Sequence, residues 1–173
     1  MLNQSLNVYV ATALGNALVA KELAERLKAE GCHITYEWWE HGPVQHLGFA
    51  RVAEVARAEM QGVLDADVLV ALLPGGRGTH AEIGLALGGG RAWVLLAGPR
   101  ADADGRESSF YYAPQCVHLG PGDDIVRVLR QGTGGPTEFH PDWSHFDRPR
   151  RNHDLYAAIV REELLRLRTG TRG

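Results

Sequence analysis

The chain has 173 residues, 45% hydrophobic and 23% charged, which predicts one soluble globular domain with a sizeable core. A formal net charge of −3 leaves no electrostatic footprint for a nucleic acid polymer or a membrane surface. Two cysteines, Cys32 and Cys116, are too few for a disulfide scaffold; with no spanning-length apolar run or secretory leader, a cytoplasmic protein is expected.

The run Asn7-Val8-Tyr9-Val10-Ala11 reads as a first strand. Residues 16–30 read as a helix, with Val19, Leu23 and Leu27 at four-residue spacing and Gly31 as its stop. A second strand is expected over 33–37, followed by a polar-aromatic loop from Trp38 to His46 and a second helix over 49–64. The apolar run 68–73 reads as a buried strand, a glycine-rich loop follows, and a helix is expected from Ala81. Residues 92–96 read as a fourth strand, 116–119 as a fifth and 123–131 as a helix. The stretch 132–151, rich in Gly, Pro and His, reads as irregular and leads to a last helix opening at Asn152-His153-Asp154.

Strands alternating with helices predict an α/β fold: a single doubly wound five-stranded parallel sheet, flavodoxin-like or Rossmann-like, with a C-terminal helix. The expected division is a ligand-binding catalytic domain over 1–131. Residues 132–173 are then an irregular segment and a helix, packed on the same domain or on a neighbouring subunit. Ligands of such sheets sit at the carboxyl ends of the strands. That rule gathers Ala11-Thr12, the Trp38 loop, the glycine loop and the loop after Leu96 around one crevice.

The glycine loop is the most informative segment: Pro74-Gly75-Gly76-Arg77-Gly78-Thr79-His80-Ala81-Glu82. A strand–loop–helix of this composition turns backbone N–H groups and a helix N-terminus toward one point, which suits an anion, and Arg77 adds a guanidinium. Thr79-x-x-Glu82 is equally a capping box, so spacing alone leaves a purely structural reading open. In the 49–64 helix, Val52, Val55, Ala56, Met60 and Val63 form an apolar stripe with Glu59 near its middle. A carboxylate there is costly unless paired or neutral, and burial raises its pKa. The other reading is that its stem reaches water or an arginine. Glu82, near a helix N-terminus, is expected to stay ionised. Two carboxylates in contrasting environments suit glycosidic chemistry, one as nucleophile and the other as acid. His140, His145 and His153 match no strong ligand spacing, so no metal and no cofactor are expected. His41, His46 and His80 lie nearer the crevice without a fixed role.

Three blocks carry a resemblance: Val8-Tyr9-Val10-Ala11; Glu59-x-x-Gly62-Val63-x-x-Ala66-Asp67; and Gly78-Thr79-x-x-Glu82-Ile83-Gly84-x-Ala86. Over residues 7–97 the chain resembles the nucleoside 2-deoxyribosyltransferase superfamily, which includes 2′-deoxynucleoside 5′-monophosphate N-glycosidases and CMP-type hydrolases. The resemblance implies Glu82 as nucleophile, Tyr9 as the group that orients it, and Glu59 as the acid, where the family usually has an aspartate. Asp67 also matches but falls at the amino end of its strand and reads as structural. The loop is similar to that of the lonely-guy phosphoribohydrolases too. Their second glycine-rich run is replaced here by Thr35-Tyr36-Glu37-Trp38-Trp39.

The implied reaction is cleavage of the N-glycosidic bond of a (deoxy)nucleoside or nucleoside 5′-monophosphate, by hydrolysis or transfer to another base. Ala11, Thr12, Trp38, Gly75, Gly76, Arg77, Gly78 and Thr79 would line the substrate site. Trp38 or Trp39 would stack on the base, although adjacent tryptophans can equally serve the core and an interface. The rival of another class is a nucleotide-binding sensor or scaffold that catalyses nothing. The resemblance also implies a homo-oligomer.

Overall fold

The computed structural model describes residues 5–98, 107–120 and 123–131; the predicted last helix and the stretch before it lie outside these residues. Five strands, β1 (Asn7–Ala11), β2 (His33–Ile34), β3 (Val68–Leu72), β4 (Trp93–Ala97) and β5 (Cys116–Leu119), form one sheet in the order β2-β1-β3-β4-β5. Every pairing is parallel, with Tyr9 opposite Leu69 and Leu69 opposite Val94. The helices are α1 (Ala17–Ala29), α2 (Phe49–Asp65), α3 (Arg77–Gly89) and α4 (Ile125–Gln131). The doubly wound α/β expectation therefore holds.

A parallel sheet covered on both faces reads as near-continuous apolar runs. The central strands obey this: Val8, Tyr9, Val10, Val68, Leu69, Val70, Val94 and Leu95 are all 0% exposed. The crossover from β1 leads outward to β2, whereas the one through α2 leads back past β1 to β3 and the one through α3 continues in that direction to β4. Right-handed crossovers then place α1 opposite α2 and α3. Ion pairs from Arg26 to Asp124 and from Glu30 to Arg130 tie α1 to the start and end of α4. Cys32 and Cys116 are free and buried, and burial pushes their thiols up to about 11 and about 12. No described helix is long and apolar enough to cross a membrane.

Three details differ from the sequence reading. β2 has two residues rather than five. Thr35 N–H still donates to Val8 O, but the next acceptor on β1, Val10 O, is taken at 2.8 Å by the indole N–H of Trp38. A side chain thus replaces the ladder bond that would have continued the strand. α3 starts four residues early, at Arg77, because the Thr79 hydroxyl accepts from Gly76 N–H at 3.1 Å and caps the helix there. Along α2, Val55 and Val63 are buried as predicted, but Met60 is 53% exposed and Ala56 is exposed as well. The sheet covers only part of the apolar arc of this helix.

Candidate active site

Tyr9 stands on β1 and faces α2 and α3. Its hydroxyl donates to Glu82 Oε1 at 2.7 Å, joining residues 73 positions apart in the chain. The fit of the ring depends on Gly62 of α2. A Cβ there would come within 3.2 Å of Tyr9 Cε2 and 2.7 Å of Tyr36 Cβ. The phenol is held well above its ordinary range, first by burial and then by the Glu82 carboxylate, so it acts as a donor.

Glu82 lies in the second turn of α3, outside the cap that the sequence suggested it might share with Thr79. Its expected ionised state is also corrected. Burial is the largest influence and pushes it up to about 7; the Tyr9 bond lowers it, and the charge of Glu59 raises it. The helix field fades within the first turn, so Glu82 does not receive the benefit expected for a residue at the end.

Glu59, half-buried on α2, is raised by burial and lowered by His41. Its charge also raises Tyr9 and Tyr36. Glu59, Glu82 and Tyr9 therefore share one electrostatic neighbourhood. The neighbouring Arg51 pairs with Glu54, and Glu59 has no ion pair with an arginine among the described residues. His41 and Tyr36 were not assigned roles from the sequence. Their rings lie 5.9 Å apart, and His41 Nδ1 donates to Gly42 O at 2.7 Å, leaving Nε2 buried without a partner.

The glycine loop follows β3 through a cis Leu73–Pro74 bond. Gly75 must be small, since a Cβ would lie 2.6 Å from Thr79 Cβ; Gly76 passes close to Ala13. Thr79 is buried beneath the loop, while Arg77 and Gly78, at the start of α3, are exposed. Ala11 is 0% exposed, paired with Ala71. The Thr12 hydroxyl donates to Leu72 O at 3.0 Å and accepts from Asn16 Nδ2 at 3.2 Å, so it clips the ends of β1 and β3 together. Trp38 is 6% exposed and held by its bond to β1, which places it in the core. Trp39 stands edge-on to it at 5.5 Å, half-buried, with a buried N–H that has no partner. Asp67 sits at the opposite end of the sheet, accepting from Asn7 N–H and pairing with Arg91. That agrees with its structural reading. No group of three metal-ligating side chains occurs among the described residues.

These features define an α/β protein with two burial-shifted carboxyl groups and a glycine-rich turn at the carboxyl ends of its central strands. No protein-family model matches the sequence, and no curated protein matches it. Among solved structures, the chain is similar to a CMP N-glycosidase of Clostridium botulinum, with a TM-score of 0.43 and 16% identity over 65% of this chain and 87% of that one.

Proposed function

We propose that the protein cleaves the N-glycosidic bond of a (deoxy)nucleoside or nucleoside 5′-monophosphate, with Glu82 as nucleophile. The observation that carries this reading is the Tyr9–Glu82 hydrogen bond with Glu59 in the same neighbourhood. Tyr9 occupies Oε1, which leaves Oε2 to attack C1′. As the C1′–Oε2 bond forms, the C1′–N bond breaks. Its electron pair goes to the base, which takes the proton of Glu59. Water, or a second base, then attacks C1′ and releases Glu82, while the Glu59 carboxylate takes the incoming proton. Positive charge developing on the sugar favours ionised Glu82 at the moment it is needed.

In this reading Gly75, Gly76, Arg77, Gly78 and Thr79 hold the 5′-phosphate at the start of α3. Trp39, rather than the buried Trp38, offers a ring to the base. The protein works as a homo-oligomer. The deciding assay is chromatography of free base after incubation with nucleosides and their 5′-monophosphates, with and without an acceptor base. Glu82→Gln is expected to abolish base release; full activity in that variant would overturn the scheme. Saturable nucleotide binding by the wild type with no base released would indicate the sensor reading instead.

A further inference from the structure

The glycine loop is tied to Tyr111, just before β5, by two hydrogen bonds in series through His80. A carbonyl oxygen only accepts, so His80 Nδ1–H donates to Gly76 O, at 2.9 Å, and in this tautomer Nε2 is an acceptor. The Tyr111 hydroxyl therefore donates to His80 Nε2, at 2.7 Å. Separately, His118 Nε2–H, on β5, donates to the backbone carbonyl of Tyr111 at 2.7 Å, which anchors that residue's main chain. The two bonds that share the His80 ring run in one sense, the arrangement in which one polarises the other. The His80 and Tyr111 rings stack at 5.8 Å and 22°, and Tyr111 is 1% exposed.

The series ends on Gly76 and leaves that residue little freedom. Gly76 O receives both the ring N–H of His80 and its backbone N–H, the latter at 3.2 Å, while Gly76 N–H is held by Thr79. The peptide joining Gly76 to Arg77 is thereby fixed, and with it the direction of the first N–H groups of α3. A helix end alone needs no such brace. We propose that Tyr111, acting through His80, is a positioning residue that sets the glycine loop to grip a 5′-phosphate. This rests on the phosphate role given to the loop above.

The test is calorimetric binding of a nucleoside 5′-monophosphate and of its parent nucleoside to wild type and Tyr111→Phe, with circular dichroism as the folding control. Phenylalanine keeps the ring and removes the donor. The monophosphate is expected to bind about tenfold more weakly, the scale of one hydrogen bond, with nucleoside affinity unchanged. Equal loss for both ligands, or no loss for either, overturns the proposal. If Tyr111→Phe does not fold, His80→Leu cuts the same series and is read the same way. Failure of the glycosidase reading is distinguishable: wild type that binds monophosphate but releases no base ends that reading and leaves this comparison intact. Wild type that releases base while gaining no affinity from the phosphate ends this proposal and leaves the reaction standing.

Discussion

At the residue scale, the proposed chemistry turns on how Tyr9 and burial oppose each other at Glu82. The Tyr9 bond lowers the Glu82 pKa and burial raises it. Tyr9→Phe is therefore expected to move the acidic limb of the pH–rate profile to higher pH and to reduce kcat/KM by about ten- to a hundredfold; an unshifted limb would remove Tyr9 from this role. The same burial makes stability pH-dependent. Folded Glu82 retains its proton up to about 7, whereas the ordinary carboxyl loses it near 4.5. Below that interval both states are protonated, and the full stabilisation is present. As pH rises through it, the folded state loses about 3 kcal/mol relative to the unfolded chain. Glu82→Gln is expected to abolish this decline, and urea denaturation at the two ends of the interval measures it.

At the element scale, α2 is shaped by the glycine it tolerates. Alanine is favoured over glycine in a helix by about 1 kcal/mol, so Gly62→Ala would stabilise an isolated α2. Here the added Cβ would sit 2.7 Å from Tyr36 Cβ and 3.2 Å from the Tyr9 ring. Overpacking of this kind costs about 1–3 kcal/mol, so a net loss of thermal stability is expected, together with lower activity as Tyr9 is displaced from Glu82. Unchanged melting and activity would show that Tyr9 has room to spare. The elements themselves were legible because their signals are local: apolar runs for β1, β3 and β4, and four-residue spacing for α1. What escaped the sequence depends on distant partners. The early start of α3 was masked by Thr79-x-x-Glu82, which mimics a cap, although the hydroxyl actually serves Gly76. β2 ends where an indole takes Val10 O. The brace through Tyr111 carries no motif, since its two rings lie 31 positions apart.

At the scale of the whole molecule, the sheet sets where the strand ends meet, and among the described residues one face of α2 stays exposed. Phe49, Ala53, Ala56, Met60 and Leu64 recur at three- and four-residue steps along one side of that helix. Phe49 is 89%, Met60 53% and Leu64 42% exposed. The proposed homo-oligomer is expected to use this stripe. Sedimentation of wild type against a Phe49→Glu, Met60→Glu double variant tests it: a wild-type oligomer should become a monomer. A wild-type monomer, or an oligomer indifferent to both charges, would refute it.

The bond between Tyr9 and Glu82 also closes a long loop, because α1, β2, α2 and β3 all lie between β1 and α3 in the chain. The proposed activity is then a property of the cooperative unit rather than of a local patch, and it is expected to vanish together with the fold instead of fading ahead of it.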